Sequence, residues 1–303
     1  MKILKHFALS LGLVATIPFM AHAAPVEITW PQLEEGDLRH DYPMQVLELA
    51  LNRAGVNYTL VPRPVIASQV RMTRMMEAEG AWTVGFFGAN SDFEERLRPI
   101  RFPLFRGLLG ARIGITHTDN LDRFAGISTA EELMALSICQ GIGWTDTEIL
   151  TAAGFNVVPG EYHDLFKVTH SKRCDMYTRA VFEPFAEVES RAETLPNLVV
   201  DPSLLIRYRF PYFIYIDPAN EELAVAIEEG LAIAMEDGSF QELFLSTPTV
   251  VEAQALVNEG DRVCVNVENP FLTRETQALG DEYWQGFSFA GDGSNTGGCR
   301  LLQ

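Results

Sequence analysis

The feature that most constrains the fold is an alternation of strand-like and helical segments in the first hundred residues. Three apolar runs, "VEITW" (26–30), "YTLVP" (58–62) and "WTVGFFG" (82–88), have the composition of strands. Two segments with helical spacing of apolar residues separate them, and the first begins at Asp41 and ends at Gly55. Strands joined through helices form a parallel sheet with right-handed crossovers. This pattern predicts an α/β fold.

The alternation starts again after residue 110 and predicts a second unit built like the first. Its strand-like runs are "ARIGIT" (111–116), "LSICQG" (136–141), "NVVP" (156–159) and "CDMYTR" (174–179). A last strand, "YFIYID" (212–217), and a long helix follow. Two such units leave a cleft between them, and ligands of parallel sheets bind outside the carboxyl ends of the strands.

The N-terminus has the pattern of an export signal. Lys2 and Lys5 precede an apolar run from Phe7 to Met20, which is followed by "AHA" (21–23). This is typical of a secretory signal peptide cleaved after Ala23. The run is shorter than the roughly 20 residues that a retained membrane anchor needs. The mature chain is therefore expected to be soluble and exported.

The charge of the mature chain excludes some classes of partner. The predicted signal peptide holds two lysines and no acid, so its removal leaves 280 residues with 21 basic and 41 acidic side chains. A charge of −20 argues against a nucleic-acid or anionic-membrane partner. A chain of this length exceeds the usual single core and predicts two lobes.

The four cysteines have no zinc or thiol-redox spacing. Cys264 and Cys299 flank a loop-rich tail that includes "GDGSNTGG" (291–298), and we expect a disulfide between them in an oxidising compartment. Cys139 and Cys174 lie in strand-like contexts. They either pair across neighbouring strands or are small buried core residues.

Three longer segments carry a resemblance to a known family. They are "YPMQVLELALNRAGVNYTLV" (42–61), "ERLRPIRFPLFRGLLGARIGI" (95–115) and "AVAIEEGLAIAMEDGSFQELF" (224–244). They resemble periplasmic solute-binding proteins (family 3) that serve polar amino-acid ABC importers. The resemblance runs from about Val26 to Phe244 and rests on many features in the right order rather than on one motif.

The resemblance implies a two-lobe type II periplasmic binding fold with two crossing strands, near residues 113–118 and 205–211. The implied boundaries, in chain order, are a first lobe at 24–113, a second lobe at 114–207, a return to the first lobe at 208–250, and a C-terminal tail at 251–303 that packs on the lobes. The family also implies a periplasmic monomer without a cofactor, which binds a small-molecule solute and works with an ABC permease in the inner membrane.

In this family an arginine shortly after the third strand of the first lobe binds the carboxylate of the ligand, and that position falls on Arg96. A guanidinium suits this role because it binds a carboxylate through two parallel hydrogen bonds. Arg98 is a competing residue, and a surface ion pair with an acidic neighbour is the structural alternative. Gly88 and Asn90 are expected to line the cleft, and Trp30 to stack on the solute.

The segment "QGIGWTD" (140–146) ends a strand and begins a helix. The free N–H groups and positive end of that helix are expected to face an anionic ligand group. Thr145 and Asp146 are expected to cap the helix, and Trp144 to contact an apolar part of the ligand. The segment fits a nucleotide loop poorly because it lacks the G-K-[ST] lysine and a third glycine. An ordinary strand-to-helix turn is the alternative.

The strand "CDMYTR" leads to Thr178, Arg179 and Glu183, which are further predicted ligand residues. Amino-acid binders have an aspartate near here for the ligand's ammonium, but this chain has none at the equivalent place. Glu183 is the nearest carboxylate, so an α-amino-acid ligand is in doubt. Arg179 either binds a second carboxylate or pairs with Glu183.

These features predict a non-enzymatic receptor for a small polar, carboxylate-bearing, amino-acid-like solute, and the lobes are expected to close around it. No metal is expected, because the histidines show no metal-ligand spacing. One alternative is a sensing partner of a membrane signalling protein. The other is a dehydratase-like periplasmic enzyme with Glu183 or Asp146 as general acid.

Overall fold

The computed structural model of the protein describes residues 24–32, 39–65, 67–258, 262–284 and 299–302. The predicted signal peptide and the "GDGSNTGG" loop lie outside the described residues. The strands found in the described part are, in chain order, β1 (Val26–Gln32), β2 (Tyr58–Pro64), β3 (Val84–Gly88), β4 (Arg98–Ile100), β5 (Ala111–His117), β6 (Ser137–Gly141), β7 (Asn156–Gly160), β8 (Met176–Ala180), β9 (Leu198–Val200), β10 (Leu204–Arg207), β11 (Tyr212–Ile216), β12 (Val263–Asn266) and β13 (Arg300–Leu301).

The helices of the described residues are α1 (Asp41–Arg53), α2 (Gln69–Glu79), α3 (Ser91–Arg96), α4 (Leu121–Ala125), α5 (Ala130–Met134), α6 (Thr145–Ala152), α7 (Tyr162–His170), α8 (Pro184–Glu189), α9 (Glu221–Glu236), α10 (Ser239–Ser246), α11 (Pro248–Asn258) and α12 (Arg274–Gln277). Helices separate most of the strands up to β8, as the sequence predicts, whereas β9 to β11 follow one another and α9 to α11 are consecutive. Short 3-10 helices cover Leu108–Gly110, Thr118–Asn120, Pro218–Asn220 and Asp281–Tyr283.

Within the described residues the strands form three sheets. β1 and β2 are a parallel pair, and β11 lies between β3 and β4 with antiparallel pairing. The largest sheet has the order β13-β12-β10-β5-β8-β6-β7, and β9 also pairs with β5. We call the part built on the two smaller sheets the first lobe, and the part from β5 to β10 the second lobe.

The lobes are built as α/β layers. In the first lobe α1 packs on α9, and the apolar side chains of both helices are buried with those of β11 in one cluster. Burying one such side chain stabilises the fold by roughly 1.5–3 kcal/mol. In the second lobe the parallel order β7-β6-β8 is joined through α6 and α7. The predicted α/β fold is therefore confirmed.

The chain passes between the lobes twice, and the two passages lie side by side. The first is at Gly110, slightly earlier than the predicted range, and the second follows β10 at 208–211. The backbone N–H of Tyr208 donates to the carbonyl of Gly110 at 2.9 Å, and β5 pairs antiparallel with β10. A Cβ on Gly110 would lie 1.8 Å from the carbonyl oxygen of Tyr208, so only glycine permits this approach.

Both cysteine pairs considered in the sequence form disulfides. Cys139–Cys174 ties β6 to the residues that precede β8, and Cys264–Cys299 ties β12 to the segment that contains β13. β12 runs parallel to β10, and β13 runs parallel to β12, so the C-terminal residues extend the largest sheet. No helix of the described residues is long and apolar enough to cross a membrane.

Candidate ligand-binding site

A cleft of about 470 Å³ lies between the two lobes. This volume is within the range of small-molecule sites, about 300–1,000 Å³. The start of α2 and the end of β3 contribute to one wall, and β5, the loop before α6 and the end of β8 contribute to the other. The cleft is lined mainly by charged and aromatic side chains and by residues at the ends of strands. They include Arg71, Gly88, Phe105, Arg112, Trp144, Asp146, Tyr162, Arg179, Phe182, Glu183 and Tyr212.

Arg112 in β5 is bonded to two side chains at the base of the cleft. Its Nη2 forms an ion pair with Asp146, and its Nε donates to the hydroxyl of Tyr208 at 3.0 Å. The Tyr208 hydroxyl in turn donates to Asp146. Burial raises the pKa of the Asp146 carboxyl, while the charge of Arg112 opposes the rise. These bonds hold the first turn of α6 against the strands that connect the lobes.

Arg179 in β8 is held by two carboxylates. Its Nε donates to Glu187 Oε2 at 2.8 Å, and its Nη2 lies 2.7 Å from Glu187 Oε1 and 2.9 Å from Glu183 Oε1. The guanidinium lies over the rings of Trp144 and Tyr162, 5.0 and 5.4 Å from their centroids. Burial alone would lower the pKa of Arg179, but the two glutamates raise it well above its usual range, so this arginine is charged.

The local sequence explains why both glutamates reach Arg179. Pro184 is the first residue of α8, which sets where this helix begins. Glu183 and Glu187 are therefore one helical turn apart and face the same side. Glu183 Oε2 also accepts a hydrogen bond from the backbone N–H of Ala180 at 2.7 Å, which fixes this carboxylate at the end of β8.

We call Arg112, Asp146, Arg179, Glu183 and Glu187 the ion cluster. The Arg112–Asp146 pair meets the group of Arg179 and its two glutamates where Arg112 Nη1 lies 3.7 Å from Glu183 Oε2. When all five are ionised, two cations and three anions give a net charge of −1. No hydrogen bond to a described residue reaches Nη1 of either arginine, although both line the cleft. The cluster can therefore offer N–H donors and carboxylate acceptors on one buried wall.

The loop before α6 has a backbone that favours glycine. Gly143 has a φ of 74°, in the left-handed region, and Trp144 is the N-cap of α6 without a side-chain hydrogen bond. Asp146 and Glu148 lie in the first turn of the helix. The positive end of α6 is therefore already complemented by the chain's own carboxylates.

No protein-family model and no curated protein matches the sequence, but solved structures match the fold. An ancestral arginine-binding protein bound to glutamine superposes with a TM-score of 0.56 at 14% identity, over 75% of this chain and 100% of its own. The fold is that of the two-lobe periplasmic binding proteins. The type II fold predicted from the sequence is thus confirmed.

Two further similar structures have different roles. One is AbpA, an amino acid ABC transporter substrate-binding protein from Streptococcus pneumoniae bound to L-arginine, with a TM-score of 0.51 at 13% identity over 75% of this chain and 95% of its own. The other is a histidine kinase sensor domain with similarity to periplasmic binding proteins, with a TM-score of 0.52 at 14% identity over 72% and 93%.

In this binding-protein fold, half of the predicted ligand residues line the interlobe cleft. They are Gly88, Trp144, Asp146, Arg179 and Glu183. Four of them belong to the second lobe, at the loop before α6 and at the end of β8. Their positions follow from the rule that the carboxyl ends of parallel strands meet at one edge of a sheet.

Arg96 lies outside the cleft among the described residues. It ends α3, where its guanidinium lies 2.6 Å from Asp92 and 3.2 Å from Glu77 and donates to the hydroxyl of Thr73 at 3.1 Å. Its donors therefore bind α2 and α3, and the expected carboxylate clamp is not assembled around it. The competing Arg98 forms ion pairs with glutamates of α9, on another face of the first lobe.

Asn90 and Thr145, both expected to bind ligand, contact each other across the lobes. Asn90 Nδ2 donates to Glu148 Oε2 at 3.0 Å and to Thr145 Oγ1 at 3.4 Å. The Oδ1 of Asn90 caps α3 by accepting from the N–H of Asp92. Thr145 therefore accepts an interlobe hydrogen bond rather than capping α6.

Trp30 and Thr178 also lie behind the cleft wall. Trp30 is partly buried against the first-lobe core, with its ring 6.2 Å from that of His40, which lines the cleft. The hydroxyl of Thr178 accepts a hydrogen bond from the Gln140 side chain at 3.1 Å inside the sheet. Neither is among the described residues that line the cleft.

Three residues that bond the ion cluster together are absent from the set predicted from the sequence. Arg112 is the single charge in the apolar run "LLGARIGIT", and a charge in such a run signals a buried partner. Glu187 follows Glu183 by one helical turn, and this spacing indicates that the two side chains lie on the same side of the helix. Tyr208 has no local signal, because its role depends on how the two interlobe passages meet. Among the described residues no group of three His, Cys, Asp or Glu side chains is arranged to hold a metal ion.

Proposed function

We propose that the protein binds a small zwitterionic, amino-acid-like solute in the interlobe cleft and delivers it from the periplasm to an ABC importer. The observation that carries the proposal is the ion cluster, where arginine Nη1 groups without hydrogen bonds to described residues lie beside carboxylates. The ligand's carboxylate would bind Nη1 of Arg112 or Arg179. Its ammonium would bind Glu183 or Asp146.

The net charge of the cluster favours a zwitterion over a dianion. With all five members ionised the cluster carries −1, so a dianion would add negative charge beside it, whereas a zwitterion adds none. Each hydrogen bond to a charged group contributes about 1.5–3 kcal/mol to binding. A ligand with both an ammonium and a carboxylate can bond to the carboxylates and to the arginines of the cluster at once. A ligand with only one of these groups can bond to only one of the two.

Aromatic side chains are placed to contact the rest of the ligand. Trp144 and Tyr162 come from the second lobe, and Tyr212 lies at the start of β11. Phe105 precedes the first passage in the chain, and Phe182 follows β8 in the second lobe. Their rings are stacked with centroids 4.2 Å apart. Partly buried rings give a ligand a large, rigid apolar contact area. The solute would therefore carry an apolar or planar body beyond its head group.

The cleft supports binding rather than catalysis. A general acid must carry a proton that it can transfer to the substrate. Asp146 is bonded to Arg112 and Tyr208, and Glu183 to Arg179, so the two acids considered as general acids are each paired with an arginine. We therefore infer a receptor and no reaction.

The test is a thermal-shift screen of the chain from residue 24, with α-amino acids and with matched analogues that lack either the amino group or the carboxylate. A ligand at 100 times its Kd stabilises the fold by about 2.7 kcal/mol, which is a shift of a few degrees. We expect shifts with the zwitterions alone. Equal shifts with the deaminated analogues would overturn the zwitterion proposal.

Two substitutions sharpen the screen. Glu183→Gln removes the charge that would bind the ammonium, and we expect it to weaken binding by at least about 10-fold. Arg96→Gln is the matched control, since it removes a charged side chain outside the cleft and should leave the Kd unchanged. Loss of binding in the control alone would move the site to the position that the sequence predicts.

A second role is compatible with the same cleft, because a histidine kinase sensor domain has this fold. The two roles differ in the step after binding. Reduced uptake of the identified solute in cells without the gene would support transport. Unchanged uptake, with binding intact, would support a partner of a signalling protein.

A further inference from the structure

The C-terminal residues form a third connection between the lobes, beside the two chain passages. We call residues 262–284 and 299–302 the strap. Its residues 262–284 start on the sheet of the second lobe and run along the passage at 208–211 to the core of the first lobe, and its residues 299–302 pair with β12 on that sheet. The three similar solved structures are matched over 93–100% of their own length by 72–75% of this chain. About a quarter of this chain therefore extends beyond each of them.

The strap is attached to the second lobe by backbone pairing. β12 runs parallel to β10 from the pair Leu204–Val263 to the pair Arg207–Asn266. The buried guanidinium of Arg262 donates to two backbone carbonyls of the second lobe, at 2.7 and 3.0 Å. The Cys264–Cys299 disulfide adds β13 to the outer edge of β12. The strap is therefore fixed to the second lobe by the β10–β12 ladder and by Arg262, and the disulfide joins two parts of the strap itself.

The strap is attached to the first lobe by a buried carboxylate. Glu94 of α3 has a side chain that is 1% exposed, and it accepts hydrogen bonds from the hydroxyls of Thr273 and Thr276 at 2.7 and 2.9 Å. The N–H of Ser91, also in α3, donates to the carbonyl of Phe271 at 2.8 Å. The next residue, Leu272, is buried in the first-lobe core.

Between its two attachments the strap is short and is bonded to the passage itself. Asn269 donates to the carbonyl of Arg209 at 3.0 Å, and Arg209 donates to the carbonyl of Gln277 at 3.0 Å. Six residues after the end of β12 the chain is already in the first-lobe core, and six extended residues span at most about 20 Å. Bending the lobes apart therefore displaces the strap together with the passage.

We propose that the strap limits how far the lobes open, as a third tie that runs parallel to the second passage. A single passage bends freely at a few loop residues. The strap is hydrogen-bonded to the second passage and anchored in both lobes, so opening the cleft must stretch the strap or move one of its anchors. This restraint acts on lobe motion and does not depend on the identity of the ligand or on the ion cluster.

The test introduces slack without removing either anchor. Five Gly and Ser residues are inserted after Glu268, which is exposed and lies between β12 and Asn269. The matched control carries the same insertion after Glu193, an exposed turn within the second lobe. Spin labels are placed through Lys167→Cys and Glu229→Cys, at exposed helical positions of the two lobes. The four natural cysteines are all bonded, so only the introduced ones react.

We expect the insertion after Glu268 to lengthen the mean distance between the labels by more than about 2 Å and to broaden its distribution. The control insertion should reproduce the parent distribution. An unchanged distribution in the folded Glu268 insertion variant overturns the proposal. If that variant does not fold, Thr276→Val decides, because it removes one hydroxyl bond to Glu94 and keeps the α12 cap at Thr273. A shift towards longer distances in this variant supports the strap, and the parent distribution overturns it.

Discussion

Two arginines of this chain have similar partners and different surroundings. Arg96 pairs with Asp92, four residues before it, and Arg179 pairs with Glu183, four residues after it. Each also binds a second carboxylate, Glu77 for Arg96 and Glu187 for Arg179. The Arg179 side chain is 2% exposed and that of Glu183 is 13% exposed, whereas Arg96 is 17% and Asp92 is 62% exposed. The spacing of charges is the same in both regions, and burial separates them.

The difference in burial gives the two pairs different energies. A surface ion pair contributes about 0–1 kcal/mol because water screens it and two flexible side chains must be ordered. A buried charge that loses its partner costs several kcal/mol, because no water replaces the partner. Arg179 is therefore central to the cleft wall, and Arg96 braces α3 against α2. Substitutions at three places in the molecule compare buried with exposed pairs, in order of decreasing effect.

The largest effect is expected for Arg179→Gln. The substitution leaves Glu183 and Glu187 buried without their cation, and we expect the free energy of unfolding to fall by about 3–5 kcal/mol. Urea unfolding followed by tryptophan fluorescence measures this change. A fall below about 1 kcal/mol would place Arg179 among the surface pairs and remove the distinction.

A medium effect is expected at the interlobe pair, where Asn90 is buried and donates to Glu148. Asn90→Asp keeps the α3 cap but faces Glu148 with a like charge, and Glu148→Gln alone weakens a charged hydrogen bond. The double variant exchanges donor and acceptor and should restore the bond. We expect a favourable coupling of roughly 1 kcal/mol between the two substitutions. Additive losses in a double-mutant cycle of unfolding free energies would show that the pair does not act across the lobes.

The smallest effect is expected at Asp92, and it depends on pH. The hydrogen bond from Arg96 lowers the pKa of the Asp92 carboxyl. A carboxyl with a lowered pKa in the folded state adds stability above its unfolded pKa, and this stability is lost as the pH falls through the folded value. Asp92→Asn should cost at most about 1 kcal/mol at pH 7, and the difference should shrink below about pH 4. A cost that stays constant from pH 7 to pH 3 would contradict this account.

Much of the fold is predictable from local patterns in the sequence. The runs "WTVGFFG" and "CDMYTR" become β3 and β8, and every residue of both strands is buried. Helix ends are harder to place. The capping box of α5 is formed by Thr129 and Glu132, although Ser128 and Glu131, one residue earlier, have the same spacing. Both registers have suitable residues, and packing decides between them.

The site is predictable in its location and less so in its contacts. The end of β8 and the loop before α6 are recognisable because strand ends and glycines mark them. The orientation of the Arg96 side chain is not recognisable from the sequence. Its guanidinium pairs with Asp92 of its own helix and with Glu77 of α2, which packs beside α3. No local feature of the sequence marks the strap either. The pairing of β12 with β10 joins segments about 60 residues apart, and no local periodicity reports such a contact.

The disulfide between Cys139 and Cys174 has a practical consequence for the choice of expression host. It closes a loop of 35 residues and by chain-entropy arguments stabilises the fold by about 4 kcal/mol. Cys139 lies two residues before Gly141, where the loop that carries Trp144 begins. Protein made in a reducing cytoplasm would lack this bond next to the loop before α6. A ligand screen on such protein would test a cleft whose Trp144 loop is less firmly held. Production with export to an oxidising compartment avoids this.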